Sequence, residues 1–208
     1  MGIYLKNKGQ MFLISAVVII VVLILLKVSY NLPDILERKK EMETRFENEF
    51  FTNIADELPH VIDVSYHQSK NITRNVFDFA NFTRKTMNER LMDFEFLYVS
   101  SLTSINNSNM NVTVVNLLNR NINVTLNLND SQTDSQNDIL DSSSWSTIFN
   151  INPSQGYTLS IYYNNIYEGN VTIPTYASKD TYAGFFDINL IGSQTTYKNK
   201  FQESYTLP

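Results

Sequence analysis

The sequence predicts an α+β protein with an N-terminal transmembrane helix, two amphipathic helices and a C-terminal antiparallel β-sandwich. Three observations lead to this fold class. An apolar run near the N-terminus suits a membrane, residues 31–103 carry apolar residues at helical spacing, and residues 104–208 alternate at strand spacing. We therefore divide the chain of 208 residues into a basic leader (1–9), a transmembrane or assembly helix (10–30), a helical stalk region and a β-sandwich head.

The first element is the apolar run at residues 11–26, which only Ser15 interrupts. A helix rises about 1.5 Å per residue, so a hydrocarbon core about 30 Å thick needs about 20 residues. The run reaches that length when Lys27 extends its charge to the headgroups and Val28 and Tyr30 continue the apolar face. No pair of small residues follows as a secretory cleavage site requires, so we expect the helix to be retained.

The residues before the run, KNKGQ at positions 6–10, resemble the processing site of archaeal type IV pilin-like precursors, which carry class III signal peptides. In that family a prepilin peptidase cuts after the glycine, and the apolar helix stays on the mature protein. The resemblance therefore implies cleavage between Gly9 and Gln10. It also implies prepilin peptidase and copies of the chain, or other pilin-like subunits, as partners besides membrane lipid. Many pilins carry a glutamate near the fifth mature position, where this chain has Ile14.

The orientation of the helix is argued from its flanks. More basic residues follow the helix than precede it, which leans toward an external N-terminus and keeps an N-out anchor with a cytoplasmic domain as an alternative. We nevertheless expect an extracytoplasmic head, because the later chain is rich in Asn, Thr and Tyr and contains Asn-x-Ser/Thr sequons, which are glycosylated on exported domains. These sequons begin at Asn71, Asn81, Asn106, Asn111, Asn123, Asn129 and Asn170.

Two apolar stripes at helical spacing follow, over residues 35–58 and from residue 72 through Tyr98. We expect Pro33 to interrupt the helix that leaves the membrane and Pro59 to end or kink the first amphipathic helix, because proline lacks an N–H and clashes with the preceding turn. Neither stripe can bury its apolar face alone. They should therefore pack on each other or on the head.

The period changes beyond residue 104. Residues 112–114 and 122–128 alternate strictly and predict a β-hairpin, whereas the polar run at 129–144 predicts a surface loop. Further short runs bring the total to about seven strands, which is typical of a β-sandwich with its own core, and Trp145 is expected to anchor that core. The pattern loosely resembles the immunoglobulin-like sandwiches common on archaeal surface proteins. That resemblance concerns the fold and implies no particular function.

The sequence lacks the residue patterns of common catalytic and cofactor-binding sites. It has no Cys, no nucleophile elbow, no phosphate-binding glycine loop and no His-Glu-x-x-His motif, so we predict no catalytic residue, no cofactor and no metal. A net charge of −5 without a basic stripe argues against nucleic acid as a partner. No small-molecule substrate is evident.

A metal-dependent sensor or enzyme built around His60 and His67 is the competing class of function. Together with Asp56 and Asp63 these histidines fall at helical spacings, which would place four ligands on one face, although Pro59 is expected to break that register. The carboxylates in the polar run could bind Ca²⁺ through their oxygens, although their spacing fits no calcium motif. Those carboxylates are Asp130, Asp134, Asp138 and Asp141.

Together these observations predict a non-catalytic, single-span, membrane-anchored surface protein with a pilin-like N-terminus and an extracytoplasmic interaction module. The nearest alternative is a minor accessory subunit of a pilus or an archaellum. Many of the chain's 12 tyrosines fall in the head, where they are interpreted as half-buried strand partners rather than as an adhesive or assembly surface.

Overall fold

A computed structural model describes residues 3–68, 71–104, 108–129, 131–152, 155–173, 181–193 and 195–206, without the side chains of 3–12, 104 and 206. The described residues form an α+β protein that divides into two compact units, Met1–Glu47 and Asn48–Pro208. The helices are α1 (Ile3–His67) and α2 (Ile72–Asn88). The strands are β1 (Asp93–Ser104), β2 (Asn109–Leu117), β3 (Ile122–Leu128), β4 (Gln132–Ile139), β5 (Ser143–Asn150), β6 (Tyr157–Tyr163), β7 (Ile166–Ile173), β8 (Thr181–Ile191) and β9 (Thr196–Thr206).

Helix α1 runs without a break from Ile3 to His67, so the interruption expected at Pro33 is wrong, and Pro59 does not end the helix. A proline inside a helix costs about 3 kcal/mol, mainly through one lost hydrogen bond and a clash with the preceding turn. At Pro59 the apolar contacts of the helix offset that cost, because Leu58 and Ile62 on either side are fully buried. One long helix therefore replaces the separate transmembrane and first amphipathic helices.

In the first unit the apolar residues of α1 are exposed. From Leu13 to Leu26 the accessible fractions of the large apolar side chains lie between 47% at Leu26 and 68% at Leu13. By length and composition the segment can cross a membrane, and none of its most apolar window is buried. A contiguous apolar surface of this size is expected to be covered by lipid or by other chains.

The second unit consists of three layers. The C-terminal part of α1 and all of α2 pack on one face of a five-stranded sheet with the order β5-β2-β1-β8-β9. The other face of that sheet packs on a four-stranded sheet with the order β4-β3-β6-β7. All pairings are antiparallel, and the hairpins β1–β2, β3–β4, β6–β7 and β8–β9 each stay within one sheet.

The polar run expected to be a loop contains strand β4, which is an edge strand of the four-stranded sheet. Its side chains are mostly exposed and only Ile139 is buried, so the apolar alternation that identifies a strand is missing. Nine strands in the described residues replace the expected seven.

The core between the two sheets, here called the inter-sheet core, is mainly aliphatic. Its fully buried members include Leu97 and Val99 from β1 and Leu126 from β3. Trp145, the chain's single tryptophan, and Tyr163 are partly buried against this core. Trp145 therefore lies at the margin of the core that it was expected to anchor.

The core between the helices and the five-stranded sheet, here called the helix-facing core, is rich in aromatic rings. Helix α2 contributes buried residues three, four and seven positions apart, which is the spacing of one helix face, and α1 contributes Ile54, Leu58 and Ile62. Ring centroids in the sheet lie 5.0 Å apart for Tyr98 and Phe186. The members supplied by α2 are Val76, Ala80, Thr83 and Met87.

The second apolar stripe ends earlier than expected. Helix α2 stops at Asn88, and Tyr98 belongs to β1. At the boundary the Met92 N–H donates to the Met87 carbonyl at 3.1 Å, and Leu91 takes a left-handed conformation with φ 61°. Glycine usually occupies that position after a helix. Because leucine stands there instead, the local sequence does not mark the end of α2.

Candidate functional site

A groove of about 850 Å³ lies in the second unit, between the start of α2 and the helix-facing side of the five-stranded sheet. Its floor is formed where strands β1, β2 and β5 run side by side. Ser100 pairs with Thr113, and Thr113 pairs with Ser146, so three hydroxyl-bearing residues form one row across these strands. Because these side chains are small, they leave open space above the sheet, whereas aromatic rings fill the space elsewhere on the same face.

The walls of the groove come from the helices. The first turn of α2, residues 71–74, forms one side together with Phe77, and Tyr66 near the end of α1 also lines the space. Asn71 caps α2: its side-chain Oδ1 accepts a hydrogen bond from the Arg74 N–H at 3.1 Å. This cap fixes the first turn beside the groove.

Hydroxyl groups connect the wall to the floor. The Oγ1 of Thr73 lies 3.3 Å from the Oγ of Ser100, and the Oγ1 of Thr113 lies 2.9 Å from the Oγ of Ser146. Behind them the hydroxyls of Tyr98 and Tyr182 hydrogen-bond to each other. The inner part of the groove is therefore a network of neutral donors and acceptors.

Both tyrosines of this network stay protonated. Burial raises the pKa of Tyr98 above its ordinary value, with hydrogen bonds to Tyr182 and Ser100 offsetting part of the rise. Burial also raises the pKa of Tyr182 well above its ordinary value, and the neighbouring Tyr98 raises it further. Neither hydroxyl can act as a base near neutral pH.

Among the described residues that line the groove, Arg74 is the only charged one. Its side chain is exposed and its Nε lies 3.9 Å from Oδ2 of Asp78, so it belongs to the rim. The described lining has no His, Asp, Glu or Lys that could transfer a proton. Hydroxyls, amides and the aromatic faces of Phe77 and Tyr182 instead suit an uncharged polar ligand.

Two sequon residues belong to this groove. Asn71 lies at its wall and Asn111 on its floor, and both are exposed. Any sugar on either side-chain amide would be attached to a residue that lines the groove. Sequence alone could not bring these two residues together, because they belong to different elements, 40 positions apart (111 − 71).

The other sequons lie elsewhere. Asn123 and Asn170 are exposed on β3 and β7, and Asn129 is exposed at a turn where its Oδ1 accepts from the Thr158 N–H at 2.7 Å. Asn81 is half-buried on α2, and Asn106 lies outside the described residues. Glycosylation of these residues stays a prediction.

The proposed processing residues, Gly9 and Gln10, are part of helix α1, and their side chains are outside the described residues. Cleavage between them stays a prediction.

The histidines do not form a metal centre in the described residues. Because α1 continues through Pro59, the expected break in register is wrong, and Asp63 and His67 lie one turn apart with Oδ1 and Nε2 separated by 3.3 Å. His60 is exposed on the same helix. Within the part of the chain that is described, no three or more His, Asp or Glu residues are arranged to hold a metal ion.

The carboxylates of the polar run are bound to other partners. Asp134 accepts from the Thr147 hydroxyl, and Asp138 accepts from the Asn121 amide at 2.9 Å. Asp130 lies outside the described residues. These contacts hold strand β4 and its turns in place.

Asp141 is the fourth of these carboxylates and forms a clasp that the sequence did not predict. Its Oδ2 lies 2.8 Å from Nη2 of Arg84 on α2, and its Oδ1 accepts from the Asn119 N–H at 2.9 Å. The clasp ties α2 to the turn between β4 and β5, next to the groove. The sequence patterns assign no role to Arg84.

No protein-family model matches the sequence, and no curated protein is detectably similar to it. The pilin-like resemblance therefore rests on residues 6–10 and on the apolar helix that follows. The function has to be inferred from that helix and from the groove.

Proposed function

We propose that the chain is a single-span, membrane-anchored surface protein with a pilin-like N-terminus, whose extracytoplasmic head is a non-catalytic interaction module. The observation that carries this proposal is the exposed apolar segment of α1, from Leu13 to Leu26. At about 25 cal/mol per Å² of apolar surface, keeping this segment in water would be strongly unfavourable. A lipid bilayer removes that penalty and satisfies a helix, whose backbone groups are already paired.

The pilin-like part of the proposal has its support at the start of the chain. Gly9 and Gln10 stand directly before the apolar run, and Lys6 and Lys8 precede them. In an assembled filament the same apolar helix would pack against copies of itself instead of lipid. The role of a minor pilus or archaellum accessory subunit fits the chain as well, because Ile14 stands where many pilins have a glutamate.

The groove supports the proposed role of the head as an interaction module. Its neutral hydroxyls and aromatic faces suit recognition of a polar, uncharged partner, and its described lining offers no acid or base for catalysis. The immunoglobulin-like assignment is part of this proposal at the level of architecture, since it relies on two packed antiparallel sheets.

The first test determines the mature N-terminus. We expect mass spectrometry of the protein purified from its own membranes to find a chain that begins at Gln10. A Gly9→Val variant should keep the leader, while Gly2→Val, the matched control, should be processed normally. A mature protein that begins at Met1 would remove the pilin-like part of the proposal and leave the anchor.

The second test determines the orientation. We expect a protease added to intact cells to digest the second unit, residues 48–208, while a cytoplasmic marker protein stays whole. Digestion only after lysis would contradict the extracytoplasmic head and favour the N-out anchor with a cytoplasmic domain.

The third test addresses the metal-dependent alternative at His60 and His67. We expect elemental analysis of the detergent-solubilised full chain, prepared without chelators, to find metal far below one ion per chain. A stoichiometric metal that is lost in a His60→Ala/His67→Ala variant would overturn the non-catalytic proposal in favour of the metal-dependent class.

A further inference from the structure

Three ionisable side chains from three strands meet where the two sheets face each other. Asp187 on β8 and Lys200 on β9 are directly opposite each other across the strand pair. The Nζ of Lys200 lies 3.3 Å from Oδ2 of Asp187. The same Nζ also donates to the carboxylate of Glu168, which β7 supplies from the other sheet.

The two carboxylates of this cluster are withdrawn from water. The accessible fractions of their side chains are 6% for Asp187 and 8% for Glu168, against 31% for Lys200. The Oδ1 of Asp187 is buried and has no hydrogen-bond partner among the described residues. An ionised carboxylate with a buried, unpartnered oxygen is unfavourable, so this oxygen needs an explanation.

We propose that Lys200 and Asp187 condense to an intramolecular isopeptide bond, with Glu168 carrying the protons. In the product the Asp187 carboxyl group is the neutral carbonyl of an amide and has lost one oxygen as water. The buried negative charge is thereby removed. The amine, the acid and the proton carrier that the reaction needs are the three groups that meet here.

The reaction balances without any further reagent. One proton of the Lys200 ammonium passes to Glu168, and the neutral Nζ attacks Cγ of protonated Asp187. A second amine proton passes to the departing hydroxyl of Asp187, which leaves as water. A C–N bond forms, a C–O bond breaks, the amide nitrogen keeps one proton, and Glu168 ends as a neutral acid.

The charges around the cluster favour the acid form of Asp187 and hold Lys200 as the ammonium, which Glu168 has to deprotonate. Burial raises the pKa of Asp187, and the nearby charges of Lys200 and Lys198 offset part of that rise, which favours the protonated acid that can lose water. Burial alone would lower the pKa of Lys200, but its hydrogen bond to Glu168 and the two carboxylate charges raise it. Glu168 is therefore needed to take the ammonium proton before attack.

Proximity lowers the barrier that makes the same reaction slow in water. Groups held in reacting geometry reach effective concentrations on the order of 10⁵–10⁸ M, and the strand pair holds these two side chains face to face. The chain has no Cys, so it cannot use disulfides. An amide between β8 and β9 would fasten the edge strand of the five-stranded sheet.

Lys198 provides a matched control on the same strand. Its Nζ lies 3.8 Å from Oδ2 of Asp187, and 51% of its side chain is accessible. It stands two positions from Lys200, on the same side of β9, yet it is farther from the acid and more exposed to water. It should remain a free amine.

The test is mass spectrometry of the full chain, purified in detergent, then denatured and digested. We expect peptides that contain Asp187 and Lys200 to be joined, with a mass lower than their sum by one water. Lys200→Arg and Glu168→Gln should abolish the joined peptide, and Lys198→Arg should keep it. Because denatured peptides are analysed, a wild-type chain whose peptides are unjoined overturns the proposal whatever the variants do. A bond to Lys198 in place of Lys200 overturns it too.

Discussion

The two faces of the five-stranded sheet are packed with different chemistry, although they share the same strands. In β1, Leu97 and Val99 point into the inter-sheet core, while Phe96 and Tyr98 point into the helix-facing core. On the aromatic side the rings form a continuous stack across three strands, in which Phe186 and Phe201 have centroids 4.9 Å apart. The aliphatic side has no such directional pairs among its buried residues from β1.

The difference in packing predicts how well each face of the sheet tolerates substitution. Aliphatic side chains fill space without a preferred orientation, so one can replace another at modest cost when the volume is kept. Stacked rings depend on their mutual geometry, and two of them carry hydroxyls that need partners. We therefore expect the helix-facing core to tolerate substitution less well, and the groove lies on that side.

The largest loss of stability is expected for Phe186→Ala. The ring centroid of Phe186 lies 5.0 Å from that of Tyr98 and 6.3 Å from that of Phe96. Removal of the Phe186 ring therefore disrupts the whole stack. We expect about 3–5 kcal/mol less free energy of unfolding, measured by urea denaturation in detergent. In the inter-sheet core Ile161→Val, on β6 of the four-stranded sheet, should cost only about 0.5–1.5 kcal/mol. A loss at Phe186 as small as that at Ile161 would contradict the role of Phe186 in the stack.

Added volume tests the same contrast. A Cβ at Gly169 would lie 2.5 Å from the Phe185 ring on the inter-sheet side, whereas one at Gly184 would lie 2.9 Å from the Tyr182 hydroxyl and 3.0 Å from the Phe186 ring. We expect Gly169→Ala and Gly184→Ala each to cost about 1–3 kcal/mol. Gly184→Ala alone should also change the near-ultraviolet circular dichroism of the aromatic stack. A neutral Gly169→Ala would show that Phe185 can move.

An effect of similar size is expected at the paired tyrosine hydroxyls. Tyr98→Phe leaves the buried hydroxyl of Tyr182 without this partner, at a cost of about 1–3 kcal/mol. The double variant Tyr98→Phe/Tyr182→Phe should cost less than the sum of the two single changes, because no hydroxyl is then stranded. Urea denaturation of all four proteins gives the coupling, and strict additivity would contradict the hydrogen bond.

The smallest effect is expected at the clasp between α2 and the turn that precedes β5. Burial would raise the pKa of Asp141, but hydrogen bonds from Arg84 and Ser142 lower it below its ordinary 3.8. A lowered pKa adds stability above pH 3.8, and this contribution is lost as the pH falls through the pKa of the folded state. Asp141→Asn should cost about 1 kcal/mol at neutral pH, an effect typical of partly exposed charged pairs.

The measurement for that clasp is thermal unfolding as a function of pH. Wild type and Asp141→Asn should converge in acid, and Asp78→Asn, which changes an exposed carboxylate of the same helix, should follow wild type throughout. A difference that persists at low pH would contradict the assigned role of the charge.

The α+β class and the antiparallel head could be predicted from local sequence patterns, but strand β1 could not. Phe94 and Tyr98 are four residues apart, which suits one face of a helix as well as alternate positions on a strand. Both faces of β1 are covered, so residues 96–99 are all buried and the alternation that marks a half-exposed strand disappears. With Leu91 in place of a glycine, nothing local separated α2 from β1.

The groove depends on contacts that only the folded chain provides. Its floor requires β5 to pair with β2, which sets Ser144 and Ser146 beside Val115 and Thr113. The sequence predicts a polar loop up to Ser144, because serine does not favour β-strands as β-branched and aromatic residues do. The spacing of Ser144 and Ser146 did place both on one face, and that is the single local hint of the hydroxyl floor.

The position of Trp145 makes the two cores optically separable. The chain's only indole lies against the inter-sheet core, whereas the helix-facing core holds phenylalanine and tyrosine rings. Tryptophan fluorescence therefore follows the loosening of the inter-sheet core, whereas near-ultraviolet dichroism of the tyrosines follows both cores. If both traces fall together on heating, the sheet melts as one cooperative block. If the tyrosine trace falls first, the helices leave while the two sheets are still joined.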